Sequence, residues 1–525
     1  MNFKCGKMES LVVAACLLAG ACFAASRVYD DPVPGGENGY AVTVDGVRAV
    51  VSDVRNSAMP VNIRWPGHQR ELDQTEIGGL VRFAFDGTAQ VEVTSPRDFR
   101  EVKIRPSSKG VKPVIQGRTV AFALTRPGAY SVEFDGIHSN LLVLADAPAE
   151  YKVDASDPKT LYYGPGAHEA GLIELKSGQT LYIHEDAVVY GRVFARDADG
   201  IRILGRGILD GSHVKAKILP IDPKLAEEQR RKGFAITNSR RCDAIRLEYC
   251  ENVEIEGVTI RDSLVYNIRP IACEHLRISN VKIIGNWRYN SDGIDMHNCE
   301  NVRISDCFIR TFDDCICVKG FDYRMDEREM LHDGYLHDVF TNAVIERCTV
   351  WCDWGRSLEF GAETRAREIC DITFRDCDVI RCDGPVCDIQ NCDYADIHGI
   401  TFENIRIEQD SPVYRHKLAE KASAFDPTPV KNGSPPVFES VIRVIPEYSK
   451  DGVRRGRNRD VVLRDIRVTG PDCPRIRLRG YDKDHRTTGV VVRGIYWNGR
   501  EASTEVEKRQ QVGPFAEPAR FERPR

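Results

Sequence analysis

One pattern of apolar and polar positions repeats through the second half of this chain. Two apolar residues separated by one position are followed, after a gap of two, by a second such pair. The pattern starts seven times, at intervals of 23, 26, 41, 29, 28 and 61 residues. Each unit therefore predicts two short strands joined by a tight turn. The positions are Val253, Ile255, Val258, Ile260; Leu276, Ile278, Val281, Ile283; Val302, Ile304, Cys307, Ile309; Ala343, Ile345, Cys348, Val350; Ile372, Phe374, Cys377, Val379; Ile400, Phe402, Ile405, Ile407; and Val461, Leu463, Ile466, Val468.

The repeat favours a parallel β-helix. The units show no helical period, which excludes a βαβ solenoid, and a propeller blade needs about 40 residues and four antiparallel strands. In a β-helix each unit forms one coil, and the coils stack with apolar positions in register. We predict a right-handed, single-stranded parallel β-helix over residues 151–500, with insertions near 321–338 and 410–455. Residues one coil apart in register then lie about 4.8 Å from each other.

The chain before the repeats alternates with period two and has turn signals about every ten residues. This pattern predicts an antiparallel β-sandwich over residues 26–150, which makes the expected fold class all-β. A Pro- and Gly-containing stretch at 148–166 predicts the link to the β-helix. Residues 501–525 form a polar C-terminal tail, expected to be either a loose arm or a short cap on the last coil. The clearest alternating segments are Tyr40–Val44, Val81–Phe85, Val91–Val93 and Tyr130–Phe134.

The first 25 residues resemble an export signal. Lys4 and Lys7 precede an apolar run that ends in small residues, and the run is too short for a transmembrane helix. Residues 13–16 also resemble a lipidation motif. In that alternative the signal would have an apolar region of only about five residues. We therefore expect a signal peptide at 1–25, a secreted or periplasmic protein and no membrane span.

Composition and charge limit the kinds of partner. Of 525 residues, 42% are hydrophobic and 29% are charged, so the chain can bury a large core. The net charge of −5 lacks the basic excess that binding to nucleic acid requires. We expect a monomer that has no nucleic-acid partner.

Cysteines are concentrated in the repeat region. The chain has 18, of which 15 follow the predicted signal and 14 lie between Cys242 and Cys392. Because several occupy inward positions of the repeat, we predict buried thiols stacked from coil to coil. Two alternatives are some disulfides, which export would favour, and a metal site. The C-x-C pair at 315–317 and the C-x3-C pair at 348–352 lack the spacing of paired zinc knuckles.

Acidic residues cluster in two neighbouring coils. Aligning Ile294 with Ile316 gives a coil of 22 residues, which stacks Asp292 on Asp314 and places Asp313 beside them. Crowded carboxyls repel, so one is expected to hold a proton at neutral pH. An acid beside ionised carboxylates is the arrangement that glycosidic hydrolysis requires. The alternatives are turn-forming aspartates on the outside of the coil and a calcium site.

These residues resemble the polygalacturonase family, glycoside hydrolase family 28. Its motifs Asn-Thr-Asp-Gly-x-Asp and Asp-Asp-Cys-Ile-x-x-Lys are matched by residues 290–295 and 313–319, in the same order and spacing. The resemblance implies a right-handed parallel β-helix that hydrolyses by inversion, without a cofactor or metal. It further implies that Asp313 is the general acid and that Asp292 and Asp314 position the attacking water.

Two departures from that family concern the substrate. The family's Gly-His-Gly-x-Ser-x-Gly is similar to residues 355–361, where Arg356 stands in place of the histidine. The Arg-Ile-Lys triplet that would bind a uronate carboxylate corresponds to Asp388-Ile389-Gln390, an anion and an amide. Substitute cations are then Arg288, Lys319 or Arg356. A sandwich leading into a β-helix also resembles the dextranase and isopullulanase family, glycoside hydrolase family 49.

Several further side chains have two interpretations each. Trp287 and Tyr289 either stack on a sugar ring or pack at the edge of the cleft. Arg356 either lowers the pKa of a base aspartate or neutralises the cluster. Glu359 and Gln390 are candidates for substrate binding, as is Glu363, for which a solvated position is the alternative. We interpret the histidines at 297, 332 and 337 as ordinary turn or surface residues.

The sequence thus predicts an exported glycosidase that degrades a polysaccharide or oligosaccharide, with pectin as the first candidate. The catalytic residues are expected to be Asp313, Asp292 and Asp314, and the substrate-binding residues Arg356, Lys319, Arg288, Glu359 and Gln390. The alternatives are a hydrolase of neutral glucans, a β-helix that binds glycan without cutting it, and a calcium-dependent lyase.

Overall fold

The structure is a computed structural model that describes residues 26–58, 62–63, 72, 75–214, 242–321, 337–411, 417–418, 434–445 and 454–522. The predicted signal peptide and His332 lie outside these residues, as do most positions of the two predicted insertions. The described chain is almost entirely β-structure, as its alternation of apolar and polar positions predicted.

Twelve strands and a 3₁₀ turn at Ser107–Lys109 form the N-terminal part. A six-stranded and a five-stranded sheet enclose an apolar core, so the predicted β-sandwich is confirmed. The strands are β1 (Arg27–Val28), β2 (Ala41–Val44), β3 (Val47–Ala49), β4 (Ser52–Ser57), β5 (Asn62–Ile63), β6 (Thr75–Ala84), β7 (Ala89–Thr94), β8 (Val102–Arg105), β9 (Val114–Gln116), β10 (Thr119–Leu124), β11 (Gly128–Phe134) and β12 (Leu141–Asp146). All but β5 belong to the two sheets. The prediction of an antiparallel sandwich is wrong for one pair, since β6 and β12 run parallel.

Where the structure describes residues 160–522, they form a right-handed parallel β-helix, as predicted. The strands of this region are β13 (Thr160–Tyr163), β14 (Gly166–Leu175), β15 (Thr180–Ile183), β16 (Ala187–Arg196), β17 (Arg202–Gly205), β18 (Ile208–Asp210), β19 (Ile245–Glu248), β20 (Glu251–Glu256), β21 (Thr259–Arg261), β22 (Ile268–Ile271), β23 (Glu274–Ser279), β24 (Lys282–Ile284), β25 (Ile294–His297), β26 (Glu300–Ser305), β27 (Phe308–Thr311), β28 (Ile316–Gly320), β29 (Val339–Glu346), β30 (Thr349–Cys352), β31 (Leu358–Thr364), β32 (Glu368–Arg375), β33 (Asp378–Arg381), β34 (Cys387–Asn391), β35 (Asp396–Glu403), β36 (Arg406–Glu408), β37 (Lys417–Leu418), β38 (Phe438–Ile442), β39 (Arg457–Asn458), β40 (Val461–Thr469), β41 (Ile476–Arg479), β42 (Val490–Trp497), β43 (Arg500–Glu501), β44 (Gln511–Val512) and β45 (Arg520–Phe521). All of them belong to the sheet of the β-helix except β37, which pairs with β5.

The coils present three faces. Face 1 consists of β19, β22, β25, β28, β31, β34, β38, β41 and β44, which pair in that order. Face 2 contains β20, β23, β26, β29, β32, β35, β40 and β42, and face 3 contains β18, β21, β24, β27, β30, β33 and β36. The strands predicted from the repeat belong to faces 2 and 3. The sequence pattern missed the third strand of each coil, which forms face 1.

The predicted stacking register is confirmed. Val253 pairs with Leu276, which pairs in turn with Val302, and Ile260 pairs with Ile283 on the neighbouring face. These side chains are almost completely buried and form one continuous apolar core along the axis. The hydrophobic positions of the repeat are therefore the inward positions of the coils, where burial of each side chain contributes about 1.5–3 kcal/mol.

The cysteines are stacked free thiols, as predicted. All fifteen in the described part of the chain are buried and unpaired by disulfides. Cys348 lies between Cys307 of the preceding coil and Cys377 of the following one. Eleven of them belong to the apolar core as small apolar residues. Burial also keeps such thiols neutral, since it raises the pKa of a thiol such as Cys273.

The sandwich packs against the β-helix through apolar and charged contacts. Trp351 and Phe312 of the coils share an apolar cluster with Leu142 of β12. Beside this cluster, the buried Arg105 guanidinium binds Glu133 at 3.1 Å within the sandwich and Asp410 of the β-helix at 2.8 Å. The two parts therefore share a desolvated interface.

The C-terminal residues close the last coil. Helix α1 (Ser503–Arg509) inserts the buried Val506 into the core, and β44 and β45 pair with β41 and β42. Of the two expectations for the tail, the structure shows the cap. In the part of the chain that the structure describes, no helix has the length and apolar character to cross a bilayer.

Candidate active site

The acidic residues singled out in the sequence lie where consecutive strands of face 1 begin. Asp292 precedes β25, and Asp313 and Asp314 precede β28. Gly355, which precedes β31, allows the next coil to approach, because a Cβ there would lie 2.5 Å from the Asp314 Oδ1. The same corner of three successive coils thus presents its side chains in one place. We refer to Asp292, Asp313 and Asp314 as the aspartate cluster.

The predicted pairing of these coils is confirmed. Ile294 pairs with Ile316 and Met296 with Val318, and the Gly293 N–H donates to the Asp314 carbonyl oxygen at 2.8 Å. The coil length is therefore 22 residues at this point. A carboxylate oxygen of Asp292 and one of Asp314 lie within 4.8 Å of each other. Since Asp292 and Asp313 are 2% and 9% exposed, the alternative of solvated turn aspartates is wrong.

Asp313 is poised to hold a proton at neutral pH. Burial, and then the neighbouring Asp314 carboxylate, raise the pKa of Asp313 to about 8. The charges of Lys319 and Arg356 and the Asn290 N–H act in the opposite direction but are outweighed. A carboxyl group in this state can donate a proton at pH 7.

Asp292 shares a buried network with Lys319 and Asp295. The Lys319 Nζ lies 3.6 Å from Asp292 Oδ2, 3.2 Å from Asp295 Oδ1 and 3.4 Å from Glu363 Oε2. Burial and the charge of Asp313 raise the pKa of Asp292, against the effect of Lys319. Burial alone would raise the pKa of Asp295 too, but Lys319 and a hydrogen bond from His297 lower it below its usual range. Asp295 is thus the permanent counter-ion of Lys319.

Asp314 accepts hydrogen bonds from the next coil. The Arg356 backbone N–H donates to its Oδ1 at 2.8 Å. Burial, and then the charge of Asp314, raise the pKa of Glu359, whose protonated carboxyl donates to Asp314. The Gln390 amide donates to Glu359 Oε1 at 3.2 Å, which orients the acid. Glu359 therefore contacts Asp314, and Gln390 contacts Glu359; their predicted role in binding substrate stays a prediction.

Arg356 is paired within the protein. Its Nε lies 3.3 Å from Asp388 Oδ2, and Asp388 stacks on Glu359 in register. Burial raises the pKa of Asp388 to about 7, although Arg356 acts to lower it. The Arg356 charge also lowers the pKa of Asp313 and of Glu359. Arg356 therefore lowers the pKa of the predicted acid Asp313 and of Glu359, and its effect on a base aspartate stays a prediction.

Three residues that precede the cluster, Trp287, Arg288 and Tyr289, contact other side chains of the protein. The Arg288 guanidinium forms an ion pair with Asp262 and lies 4.1 Å from the centre of the Trp287 ring. Trp287 is 5% exposed and donates to Asp262, and Tyr289 is buried against Phe312 at the sandwich interface. Of the two interpretations offered for these aromatic residues, the structure shows packing.

The interpretation of His297 as a turn or surface residue is wrong. This side chain is 2% exposed, and its Nε2 lies 3.2 Å from Asp295 Oδ2. Residues two positions apart on a strand project to the same side, so alternation alone places His297 beside Asp295. Asp295 likewise lay within the motif at 290–295 without an assigned role. Both belong to the charged network under the cluster.

The donor set at the cluster does not suit calcium. Asp292 and Asp314 are joined there by the Cys317 thiol, and the Lys319 ammonium is adjacent to Asp292. Calcium takes six to eight oxygen ligands, so a thiol and a neighbouring cation disfavour it.

Two concave regions of about 410 and 760 Å³ lie on other parts of the surface, beside Tyr394 and beside Tyr151.

Comparisons with known proteins agree with the fold and the motifs. Residues 193–414 match the family model described as Glycosyl hydrolases family 28, which includes the whole aspartate cluster. A "Probable polygalacturonase" of Vitis vinifera is 29% identical over 214 residues, 36% of this chain and 43% of that protein. A "Polygalacturonase" of Brassica napus is 29% identical over 138 residues, 26% of this chain and 30% of that protein. The matched regions thus span less than half of these relatives.

A solved structure resembles the entire chain. Dex49A from Penicillium minioluteum has a TM-score of 0.60 and 13% identity, and the alignment covers 94% of this chain and 96% of that one. The likeness includes the sandwich as well as the β-helix, as the second resemblance noted in the sequence implied. At this identity it establishes the shared fold.

Proposed function

We propose that this chain, which carries a region of glycosyl hydrolases family 28, hydrolyses glycosidic bonds by inversion with the aspartate cluster. The observation that carries the proposal is the convergence of three carboxyls from two consecutive coils: Asp292 and Asp313 are buried, Asp314 is half-buried, and the pKa of Asp313 is raised to about 8. Inverting hydrolysis needs an acid for the leaving oxygen and a carboxylate that activates water.

The roles follow from the positions of the three groups and from the raised pKa of Asp313. Asp313, protonated at neutral pH, donates its proton to the glycosidic oxygen as the C–O bond breaks. A water held by Asp292 and Asp314, whose carboxyl oxygens lie within 4.8 Å of each other, attacks the anomeric carbon from the opposite side and gives its proton to that pair. Return of one proton to Asp313 completes the cycle.

Pectin-type polysaccharide is the first candidate substrate, because the curated relatives that match are named polygalacturonases. A neutral glucan is the second candidate, and one observation favours it. Lys319 and Arg356, the cations nearest the cluster, already form ion pairs with acids of the protein. A uronate carboxylate would have to compete with those partners, whereas uncharged hydroxyls would not.

The export signal, a secreted or periplasmic location and a monomeric state are part of the same proposal. They are supported by the sequence of residues 1–25 and by the composition of the chain. Size-exclusion chromatography with light scattering and N-terminal sequencing of the secreted protein test these points.

A reducing-sugar screen tests the activity. The purified protein is incubated with polygalacturonate, rhamnogalacturonan, dextran and pullulan, and the anomer first released is identified by proton NMR. We expect release from at least one polymer with inverted configuration. Asp313→Asn should abolish release and leave binding of the same polymer intact, and Asp306→Asn, an exposed aspartate on the outside of the coils, is the matched control.

Three results would decide against the proposal. Binding without release from any polymer favours a glycan-binding module. An unsaturated, ultraviolet-absorbing product that disappears on chelation indicates a lyase. Release with retained configuration would refute the roles of the aspartates, since retention requires a covalent intermediate.

A further inference from the structure

A second group of potential ligands lies on face 2, away from the aspartate cluster. It consists of Glu368 and Cys370 on β32 and His398 on β35. A carboxylate oxygen, the thiol sulfur and a ring nitrogen of these residues lie within 4.8 Å of one another. The three side chains come from adjacent coils and contain three different kinds of donor atom.

The parallel register holds these side chains on one side of the sheet. Cys370 pairs directly with His398 across the two strands, and Glu368, two positions earlier, projects to the same side as Cys370. Between them the buried Ile369 and Ile397 point into the core and fix the strands. The group is therefore built on regular, hydrogen-bonded backbone rather than on a loop.

Neighbouring side chains orient the donors. The His398 Nε2 lies 3.0 Å from Glu368 Oε1, and the other oxygen of Glu368 lies 3.2 Å from the Arg367 guanidinium. The Cys370 thiol donates to Thr341 Oγ1 at 3.4 Å, and Thr341 is its register partner on the preceding coil. Such outer contacts are the kind that fix the geometry of metal ligands.

The donor set has a preferred ion. A nitrogen, a thiolate sulfur and a carboxylate oxygen suit Zn²⁺, whose tetrahedral bonds of about 2.0–2.3 Å place ligand atoms roughly 3.3–3.8 Å apart. Calcium and magnesium prefer oxygen ligands only. A second triplet on the same face, Glu274, Glu300 and His337, lacks the sulfur.

We propose that Glu368, Cys370 and His398 form a zinc site with a water as the fourth ligand, which links two adjacent coils. On binding, the thiol proton leaves to the buffer and the thiolate coordinates the ion, while His398 binds as neutral imidazole. The site lies on face 2, and the aspartate cluster lies on face 1, so its role is to fasten the coil stack rather than to take part in the reaction.

Cobalt substitution tests the proposal. The full-length protein, dialysed against chelator, is titrated with Co²⁺, which reports a thiolate ligand by a charge-transfer band in the near ultraviolet. We expect this band to saturate at one ion per chain, to be displaced by Zn²⁺, and to be accompanied by a higher Tm. Cys370→Ser should remove the band, and His398→Asn should weaken Co²⁺ binding at least tenfold.

His138→Asn is the matched control, because it removes another exposed histidine that contacts an acid, Glu76 at 2.9 Å, and lies on the sandwich rather than on face 2. It should leave the titration unchanged. A thiolate band that persists in Cys370→Ser, or the absence of any band in a folded wild-type protein, would overturn the site. Circular dichroism of each variant separates loss of ligand from loss of fold.

Discussion

The raised pKa of Asp313 predicts the shape of the alkaline limb of the pH–rate profile. With a pKa of about 8, about ten Asp313 carboxyls are protonated for every ionised one at pH 7, and the ratio reverses at pH 9. If Asp313 is the general acid, kcat/KM should be level near neutrality and fall about tenfold between pH 7 and pH 9. An unperturbed aspartate would already be ionised at pH 7.

The assay compares two kinds of substrate. Reducing-sugar release from the polymer identified by the screen is measured from pH 4 to pH 10, together with hydrolysis of a matching glycosyl fluoride, whose leaving group needs no protonation. Asp313→Asn should lower kcat on the polymer about 10²- to 10⁴-fold, the usual contribution of a general acid. The decrease in kcat on the glycosyl fluoride should be much smaller. The pH–rate profile of the variant on the fluoride should have no alkaline limb.

Two outcomes would refute this reasoning. An alkaline limb that stays flat through pH 9 in the wild-type enzyme means that Asp313 does not carry the proton. Equal losses on both substrates mean that Asp313 does something other than protonate the leaving group. The apparent pKa of the alkaline limb belongs to the interacting acids together. Loss of the limb in Asp313→Asn assigns it to Asp313.

Four further predictions concern charge and burial. Arg356→Gln removes a charge that lowers the pKa of Asp313, so the alkaline limb should move to higher pH, whereas the exposed Arg347→Gln should leave it in place. Asp313→Asn should match the wild-type Tm at low pH and exceed it at pH 9. Because the pKa of Asp313 is raised in the folded state, the free energy of unfolding of the wild-type protein falls, by at most about 6 kcal/mol, as the pH rises from about 4 through 8. Asparagine does not ionise, so the variant does not undergo this loss. Arg105→Met leaves its buried acidic partners unpaired and should cost about 3–5 kcal/mol in urea unfolding, and a cost below about 1 kcal/mol would contradict the described interface. The fourteen described thiols other than Cys370 should not react with Ellman's reagent in the native protein and should all react in guanidinium. Reaction of more than one thiol in the native state would show that the core thiols are accessible.

The strands of faces 2 and 3 could be predicted because their apolar positions recur at a constant spacing. Face 1 was missed as a series because the distance from Ile260 to Ile268 is 8 residues, whereas that from Ile283 to Ile294 is 11. The corners that lead into face 1 vary in length and carry the site residues, so a search for a constant spacing does not detect them. The register of β25 and β28 was nevertheless predictable, since one apolar pair in each strand must point inward.

The aspartate cluster could be placed from that register, but its surroundings could not. Nothing in the sequence shows that Lys319 is shared by three acids or that Arg356 is held by Asp388. These contacts join residues 24 to 44 positions apart in different coils, and the corners of those coils differ. His297 was misjudged because its spacing to other histidines was considered and its position on the strand relative to Asp295 was not. Contacts across coils depend on side-chain direction, which motif spacing alone does not report.

Helix α1 has a consequence for how molecules meet one another in solution. A stack of parallel strands exposes unpaired N–H and C=O groups at its last turn, and an identical molecule could extend it into a filament. Val506 plugs that end, and the short strands that follow take up the hydrogen bonds of β41 and β42. Residues 503–521 therefore act as a stop against head-to-tail polymerisation.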